Sequence, residues 1–195
     1  NKVDEIRPCI GCQEGCVNEF VEGGHIQCAV NPRCGFEEKS EATKAEIVKK
    51  IAVVGAGPAG IEFAVNAAKR GHLVTIFEET AEIGGKLISG GSPMIKFDIK
   101  NYVTYLKNQL AVAVEKYGVV CRFSTRATID ELNGKFDVVI VATGTTDIVP
   151  PFEGLDKINY AMATDVLLDP SLVKDAKRIS IIGGGVVGVE TAYML

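Results

Sequence analysis

Four cysteines crowd the start of the chain. Cys9, Cys12, Cys16 and Cys28 follow the spacing C-x2-C-x3-C-x11-C inside RPCIGCQEGCVNEFVEGGHIQC. Thiols this close in sequence can pair as disulfides, grip a zinc ion or cradle an iron–sulfur cluster. Zinc favours two C-x2-C knuckles separated by a longer loop, and the segment holds a single such pair. A cubane cluster takes three cysteines close together and a fourth from further along the chain, which is this pattern. Gly11 and Gly15 let the backbone wrap closely and turn N–H groups toward sulfur. Arg7 sets positive charge beside an anionic group of thiolates. Residue chemistry therefore favours the cluster and leaves zinc open. Disulfides suit small secreted chains that lack a core. Here the apolar stretches around Val53, Val54, Val139, Ile140 and Ile181 predict a core, so staples are not needed. His25 is a metal donor by type only, and His72, in a strand-entry turn, needs no function.

A second chemistry begins at VVGAGPAG. Gly55, Ala56, Gly57, Pro58, Ala59 and Gly60 form G-x-G-x-x-G between an apolar β-branched run and a helical pattern. The first glycine makes a tight turn, the second lets a pyrophosphate approach the backbone, and the third lets helix and strand pack. Phosphates then meet free N–H groups at the positive end of the helix. An acid should close the next strand, about 20 residues on, to accept hydrogen bonds from a ribose diol. Glu78 stands there. Glu79 and Glu82 are close enough to blur the assignment, with the strand end favouring Glu78. Pro58 fits a first-turn position, where a missing N–H costs nothing. The unit is echoed at IIGGGVVGVE, where Gly183, Gly185 and Gly188 repeat the spacing.

These residues need elements to hold them. KIAVV (50–54), LVTIFE (73–78), VVCRF (119–123) and FDVVIVATG (136–144) read as strands, and GIEFAVNAAKRG (60–71) as a helix. Ile99, Val103, Leu106, Leu110 and Val114 recur at helical spacing over 98–118, a segment closed by Gly118. Strands alternating with helices predict an α/β fold: a Rossmann-like, three-layer domain around a parallel sheet covered on both faces. Residues 1–44 form a Cys-rich segment that ends in the polar linker EEKSEATKAE (37–46). Residues 45–150 form the first dinucleotide domain, and 151–195 open a second, incomplete one. Cys121, inside a strand, reads as a small buried hydrophobe.

Composition excludes other classes. Apolar residues make 47% and charged residues 24% of the 195, the balance of a globular protein. A net charge of −4 gives no general attraction to nucleic acid or to an acidic membrane surface. The longest apolar run, IAVVGAGPAGIEFAVNAA, contains Pro58, Glu62 and Asn66, so it reads as core rather than as a bilayer span. The first residues carry no apolar secretory core, and a cytoplasmic location is expected.

GAGPAG, then FEE…IGGK (77–86), then VIVATG (139–144), resembles the FAD-binding domain of the two-dinucleotide-domain flavoproteins, the glutathione reductase superfamily. That resemblance implies that Gly84, Gly85 and Lys86 lie on the flavin side of the pyrophosphate. It implies that Ala142, Thr143 and Gly144 pass near the dinucleotide, and it adds Ala127 to the cofactor-binding residues. It also implies that an inserted nicotinamide domain opens at Gly183, Gly185 and Gly188. The cysteine segment followed after a short linker by VVGAGPAG is similar to the C-terminal half of the NADH:flavin oxidoreductases of the Old Yellow Enzyme type. That group includes 2,4-dienoyl-CoA reductases, 2-enoate reductases and trimethylamine dehydrogenase. The resemblance puts a [4Fe–4S] cluster on Cys9, Cys12, Cys16 and Cys28 and leaves Cys34 outside the four.

The same resemblance implies a relay from NAD(P)H to FAD, through the cluster, to FMN in an N-terminal barrel of the same polypeptide, for reduction of an enoyl or dienoyl C=C bond. That barrel is absent from this sequence. The chain is expected to be part of a longer enzyme, inactive alone, whose full-length form can be a homo-oligomer. Its partners would be that barrel and small dinucleotides. No catalytic acid or base is assigned. Two alternatives remain from the sequence: an ADP-binding, non-redox module as in trimethylamine dehydrogenase, and a zinc-stapled scaffold.

Overall fold

A computed structural model describes residues 3–39 and 42–195. Residues 40 and 41 of the expected linker, and residues 1 and 2 of the Cys-rich segment, lie outside the described residues.

The centre is a parallel sheet of four strands: β1 (Lys50–Val54), β2 (Leu73–Phe77), β3 (Val120–Arg122) and β4 (Val138–Val141), in the order β3-β2-β1-β4. In register, Ile51 pairs with Val74 and Val138, and Val53 with Ile76 and Ile140. Residues paired in register point to the same side of a sheet, and successive residues alternate sides. These six therefore form one apolar face.

Among the described residues seven α-helices accompany the sheet: α1 (Glu19–Val21), α2 (Pro58–Lys69), α3 (Lys86–Gly90), α4 (Phe97–Tyr117), α5 (Ile129–Leu132), α6 (Ala163–Leu168) and α7 (Val186–Met194). The two long ones cover the apolar face. Ile61, Ala64, Val65 and Ala68 of α2 join Tyr102, Tyr105, Leu106, Leu110 and Ala113 of α4 in one buried cluster with the strand residues. Cys121, half-buried in β3, packs against the same cluster, as its position in a strand led one to expect. The short α5 opens on a capping box: the Thr128 side chain accepts from the Glu131 amide while the Glu131 carboxylate receives the Thr128 amide.

The α/β dinucleotide-binding fold is thus the one the alternating pattern predicts, with two local differences. On the face away from α2 and α4, Ala52 and Phe77 are buried, and Phe136 and the Arg122 guanidinium cover the Phe77 ring. At the edge strand, however, Val139 and Val141 are exposed, so Val139 is not a core residue. An edge strand has a neighbour on one side only, and here none of the long helices reaches its outer face. The second difference is at Ile181, predicted to be strand core. Residues 179–184 form no strand, and Ile181 and Ile182 are exposed. A strand is a pairing rather than a propensity, and no described segment pairs with this one.

α6 packs against both α3 and α7, which seats the second glycine unit on the first domain. The Lys96–Glu190 ion pair adds to that contact. No helix among the described residues is long and apolar enough to cross a membrane.

Candidate functional site

The first glycine loop is built by its neighbours. The Gly55 amide donates to the Phe77 carbonyl and the Ala142 amide to the Val54 carbonyl, so the ends of β1, β2 and β4 meet at the loop. Gly55 takes φ 107°, a region that side chains other than glycine rarely enter. A Cβ there would lie 2.8 Å from the Ala142 carbonyl carbon and closer still to its oxygen. A Cβ on Gly60 would lie 3.1 Å from the Gly55 carbonyl carbon, again with the oxygen closer. Gly57 is different. Its φ of −74° is ordinary, and a Cβ there would meet nothing within 4 Å. Packing explains Gly55 and Gly60, while Gly57 leaves open space at the N-terminus of α2, where amide groups have no helical partner.

The Glu78 carboxylate sits at this loop. It is buried; one oxygen accepts from the Ala56 amide at 2.7 Å, and the other from the Thr80 amide at 2.9 Å and the Thr80 hydroxyl at 2.8 Å. Burial alone would raise its pKa, yet the hydrogen bonds from Ala56, Thr80 and Glu79 outweigh burial and hold it below the usual carboxylate value. A carboxylate offers about four acceptor positions, and these donors occupy them, so a ribose hydroxyl would share an oxygen with a donor already in place. Glu79 and Glu82 are exposed, whereas Glu78 is buried.

The GGK turn meets the same loop. The Gly84 amide donates to the Ala56 carbonyl at 2.9 Å, and a Cβ on Gly85 would lie 3.4 Å from the Gly57 Cα. Lys86 pairs with Asp147, with Nζ 2.8 Å from its carboxylate, which also accepts from the Thr164 hydroxyl. The hydrogen bonds from Lys86 and Thr164 hold the Asp147 carboxyl below its usual value. This network was not visible in the sequence; its one signal is that Asp147 follows closely on Ala142-Thr143-Gly144. Thr143 and Gly144 are exposed beside the loop, and Ala127 is half-buried in the segment after β3.

The second loop repeats the first. Gly183 takes φ 109° and Gly185 φ −74°, ψ 178°, against 107° for Gly55 and −74°, −179° for Gly57. A Cβ on Gly188 would lie 3.2 Å from the Gly183 carbonyl carbon, and one on Gly185 would meet nothing within 4 Å. Two independent segments of one chain adopt the same cradle.

The cysteine segment packs against α2 and α4. Cys9, Cys12 and Cys16 are exposed, Cys28 is half-buried against the core, and all are free thiols. Among the described residues no three His, Cys, Asp or Glu side chains are gathered closely enough to hold a metal ion. The fold does join the backbone that carries the thiols. The Gln27 amide donates to the Gly15 carbonyl at 2.6 Å, and a Cβ on Gly15 would lie 2.9 Å from the Gln27 carbonyl. The Gly11 amide donates to the Cys9 sulfur at 3.3 Å. The half-buried Cys34 thiol is pushed up by burial first, then by Cys28, Glu37 and Cys16, so it shares their neighbourhood. Soft thiols, one of them accepting a backbone N–H, are donors of the chemical kind that an iron–sulfur cluster takes. The His25 ring packs on Phe36 at 4.9 Å between centroids, and His72 Nδ1 accepts from the Lys49 amide.

Arg7 is a correction. Its guanidinium does not serve the thiolates; it forms a two-pronged ion pair with Glu62 of α2. A crevice of about 690 Å3 opens beside this pair, lined by Arg7, Glu62 and Tyr105 among others, with no residue of either glycine loop in its lining. Its mixture of acids and bases makes it a crevice between the cysteine segment and the two long helices rather than a dinucleotide cleft.

Known proteins share this arrangement. The family model of the pyridine nucleotide-disulphide oxidoreductases matches residues 35–96 and 49–195. A metal reductase of Desulforamulus reducens is 41% identical over 197 residues, covering 98% of this chain and 29% of that protein. A cinnamate reductase of Clostridium sporogenes is 39% identical, covering 100% of this chain and 28% of that one. The solved 2-naphthoyl-CoA reductase, in complex with 2-naphthoyl-CoA, superposes with a TM-score of 0.81 at 32% identity, over 97% of this chain and 28% of that one. The chain therefore spans under a third of the length of these relatives. They bear out the resemblance to NADH:flavin oxidoreductases that the motifs carry.

Proposed function

The chain belongs to the pyridine nucleotide-disulphide oxidoreductase family, and on that premise we propose that it is the electron-entry segment of a longer flavin- and iron–sulfur-dependent reductase. In this reading the loop Gly55–Gly60 with Glu78 and Ala142–Gly144 holds FAD. The loop Gly183–Gly188 opens the NAD(P)H site, and Cys9, Cys12, Cys16 and Cys28 hold a [4Fe–4S] cluster. The observation that carries it is the pair Gly57 and Gly185. Each has an ordinary φ and open space where a side chain would be, so the fold itself does not demand glycine at either position. A pyrophosphate pressed on the backbone does.

When bound, the nicotinamide, the flavin and the cluster would supply the redox chemistry: hydride donation, a change from two-electron to one-electron transfer, and one-electron conduction toward FMN in an N-terminal barrel. The chain's residues bind and orient. The N-terminus of α2 faces phosphate charge with free amides. Glu78, already fixed by Ala56 and Thr80, sets a carboxylate at the loop where a ribose hydroxyl could share one of its oxygens. Reduction of an activated C=C bond as the final reaction is supported by likeness to a cinnamate reductase.

Anaerobic purification followed by extraction tests the reading. FAD in the extract, with about four irons and matching sulfide per chain, is the expected result. ADP without flavin makes the first loop a non-redox module, and one zinc without sulfide removes the cluster.

A further inference from the structure

Arg7 and Val30 stand just outside the two ends of the cysteine loop, two residues before Cys9 and two residues after Cys28. One guanidinium holds both ends. Arg7 Nη1 donates to the Val30 carbonyl, and its two terminal nitrogens reach the Glu62 carboxylate at 2.9 and 3.0 Å. The Arg7 side chain lies over the Tyr105 ring of α4 at 4.9 Å, and Tyr102 places its hydroxyl 3.5 Å from the same Val30 carbonyl. Glu62 is itself braced by the Asn66 amide at 3.0 Å. Both charged side chains are only about one-fifth exposed, 20% and 22%. Such a fork-to-fork pair is directional as well as attractive, and partial burial spares it much of the solvent screening that weakens surface pairs.

Glu62 lies on the first turns of α2, two residues past Gly60. The helix that ends the first glycine loop is therefore the one the cysteine loop is clamped to. We propose that Arg7 is a positioning residue: through Glu62 it fixes the cysteine loop on α2 and so sets the separation between the sulfurs and the first dinucleotide loop. This rests on the reading of those two places as cluster and flavin sites. Electron tunnelling falls exponentially with separation, so a loop free to shift on α2 passes electrons slowly even when every ligand is present. A role in packing alone predicts lost stability with no such specific loss.

The test uses the anaerobically prepared holoprotein and the variants Arg7→Gln, Glu62→Gln and the charge-swapped pair Arg7→Glu with Glu62→Arg. Two readouts are taken. The first, independent of cofactors, is amide hydrogen exchange over 8–30 compared with β1. The second is the rate at which reduced flavin passes an electron to the cluster, with iron and flavin content measured alongside. Arg7→Gln is expected to speed exchange over 8–30 at least tenfold with β1 unchanged. It is also expected to slow electron passage at least tenfold at wild-type flavin content, and the swapped pair to recover part of both. Unchanged exchange and an unchanged rate in Arg7→Gln overturn the proposal. If that variant loses iron or fails to fold, Glu62→Gln decides, because it leaves the Val30 and Tyr105 contacts in place: wild-type protection over 8–30 overturns the proposal, and faster exchange supports it. Wild-type protein without flavin or iron sinks the functional reading and leaves the exchange comparison as the test of the clamp.

Discussion

Gly60 closes on Gly55: a Cβ on the one would press on the carbonyl of the other, 3.1 Å from its carbon and closer to its oxygen. A Cβ on Gly57, between them, would meet nothing within 4 Å. The same signature, G-x-G-x-x-G, thus holds glycines of two kinds, and substitution should separate them. Gly57→Ala is expected to fold with an unchanged denaturation midpoint and to lose bound dinucleotide by more than tenfold. Gly60→Ala is expected to lower stability itself, by about 1–3 kcal/mol, the usual penalty of overpacking. Urea titrations beside flavin content check both, and equal destabilisation by the two variants would contradict the distinction.

Glu78 carries a pH signature. Its folded pKa lies below its ordinary value of 4.5. A carboxylate lowered on folding stabilises above its unfolded pKa and loses that contribution as pH falls through the folded value. Acid unfolding of Glu78→Gln should therefore be flatter below about pH 4.5 than that of wild type. The variant also loses a charge-assisted acceptor, a change of about 1.5–3 kcal/mol, or roughly 10- to 150-fold in dinucleotide Kd. Calorimetric titration at neutral pH measures it. Wild-type affinity would move the ribose contact to another residue.

Local chemistry was legible from the chain alone where a residue type has few uses. The glycine spacings, Glu78 at a strand end, and the strands at 50–54 and 73–77 could be read because turn geometry and β-branched runs act over a few residues. Long-range pairings could not. Arg7 and Glu62 are 55 residues apart, and Lys86 and Asp147 are 61 apart. Charge alone offered Arg7 the cysteines as its nearest partner in sequence. Val139 and Ile181 were read as core because they are apolar, yet burial is decided by which faces of a sheet are covered and which strands are paired.

That difference between apolar and buried can be measured. Leu106 of α4 is fully enclosed, with no exposed surface, whereas Val141 of β4 is 76% exposed. Leu106→Ala is expected to cost about 2–5 kcal/mol through lost burial and the cavity left behind. Val141→Ala should stay within about 0.5 kcal/mol. Equilibrium unfolding of the two variants gives the comparison directly. A large loss at Val141 would mean that the outer face of the edge strand is covered in solution.

Gly15 offers the sharpest test of whether the cysteine segment is a built site. Its carbonyl accepts the Gln27 amide at 2.6 Å, and this bond brings the backbone of Cys28 beside that of Cys16. A Cβ at Gly15 would lie 2.9 Å from the Gln27 carbonyl carbon and oxygen and 3.2 Å from the Cys28 amide nitrogen. Those neighbours are backbone and cannot rotate aside, so the segment bearing Cys28 must move. The strand pairing of the sheet is expected to persist, because neither Gly15 nor Gln27 contributes to the buried core and Cys28 only borders it. Gly15→Ala should therefore keep wild-type flavin content and lose more than half of its iron and sulfide, in step with Cys28→Ser. If the iron is instead held by Cys9, Cys12 and Cys16 with a ligand other than Cys28, the two variants part: Gly15→Ala perturbs the loop slightly and Cys28→Ser leaves iron unchanged. Iron and sulfide analysis of anaerobic protein distinguishes these outcomes, and Cys34→Ser, expected to retain full iron, controls for the fifth thiol in the same neighbourhood.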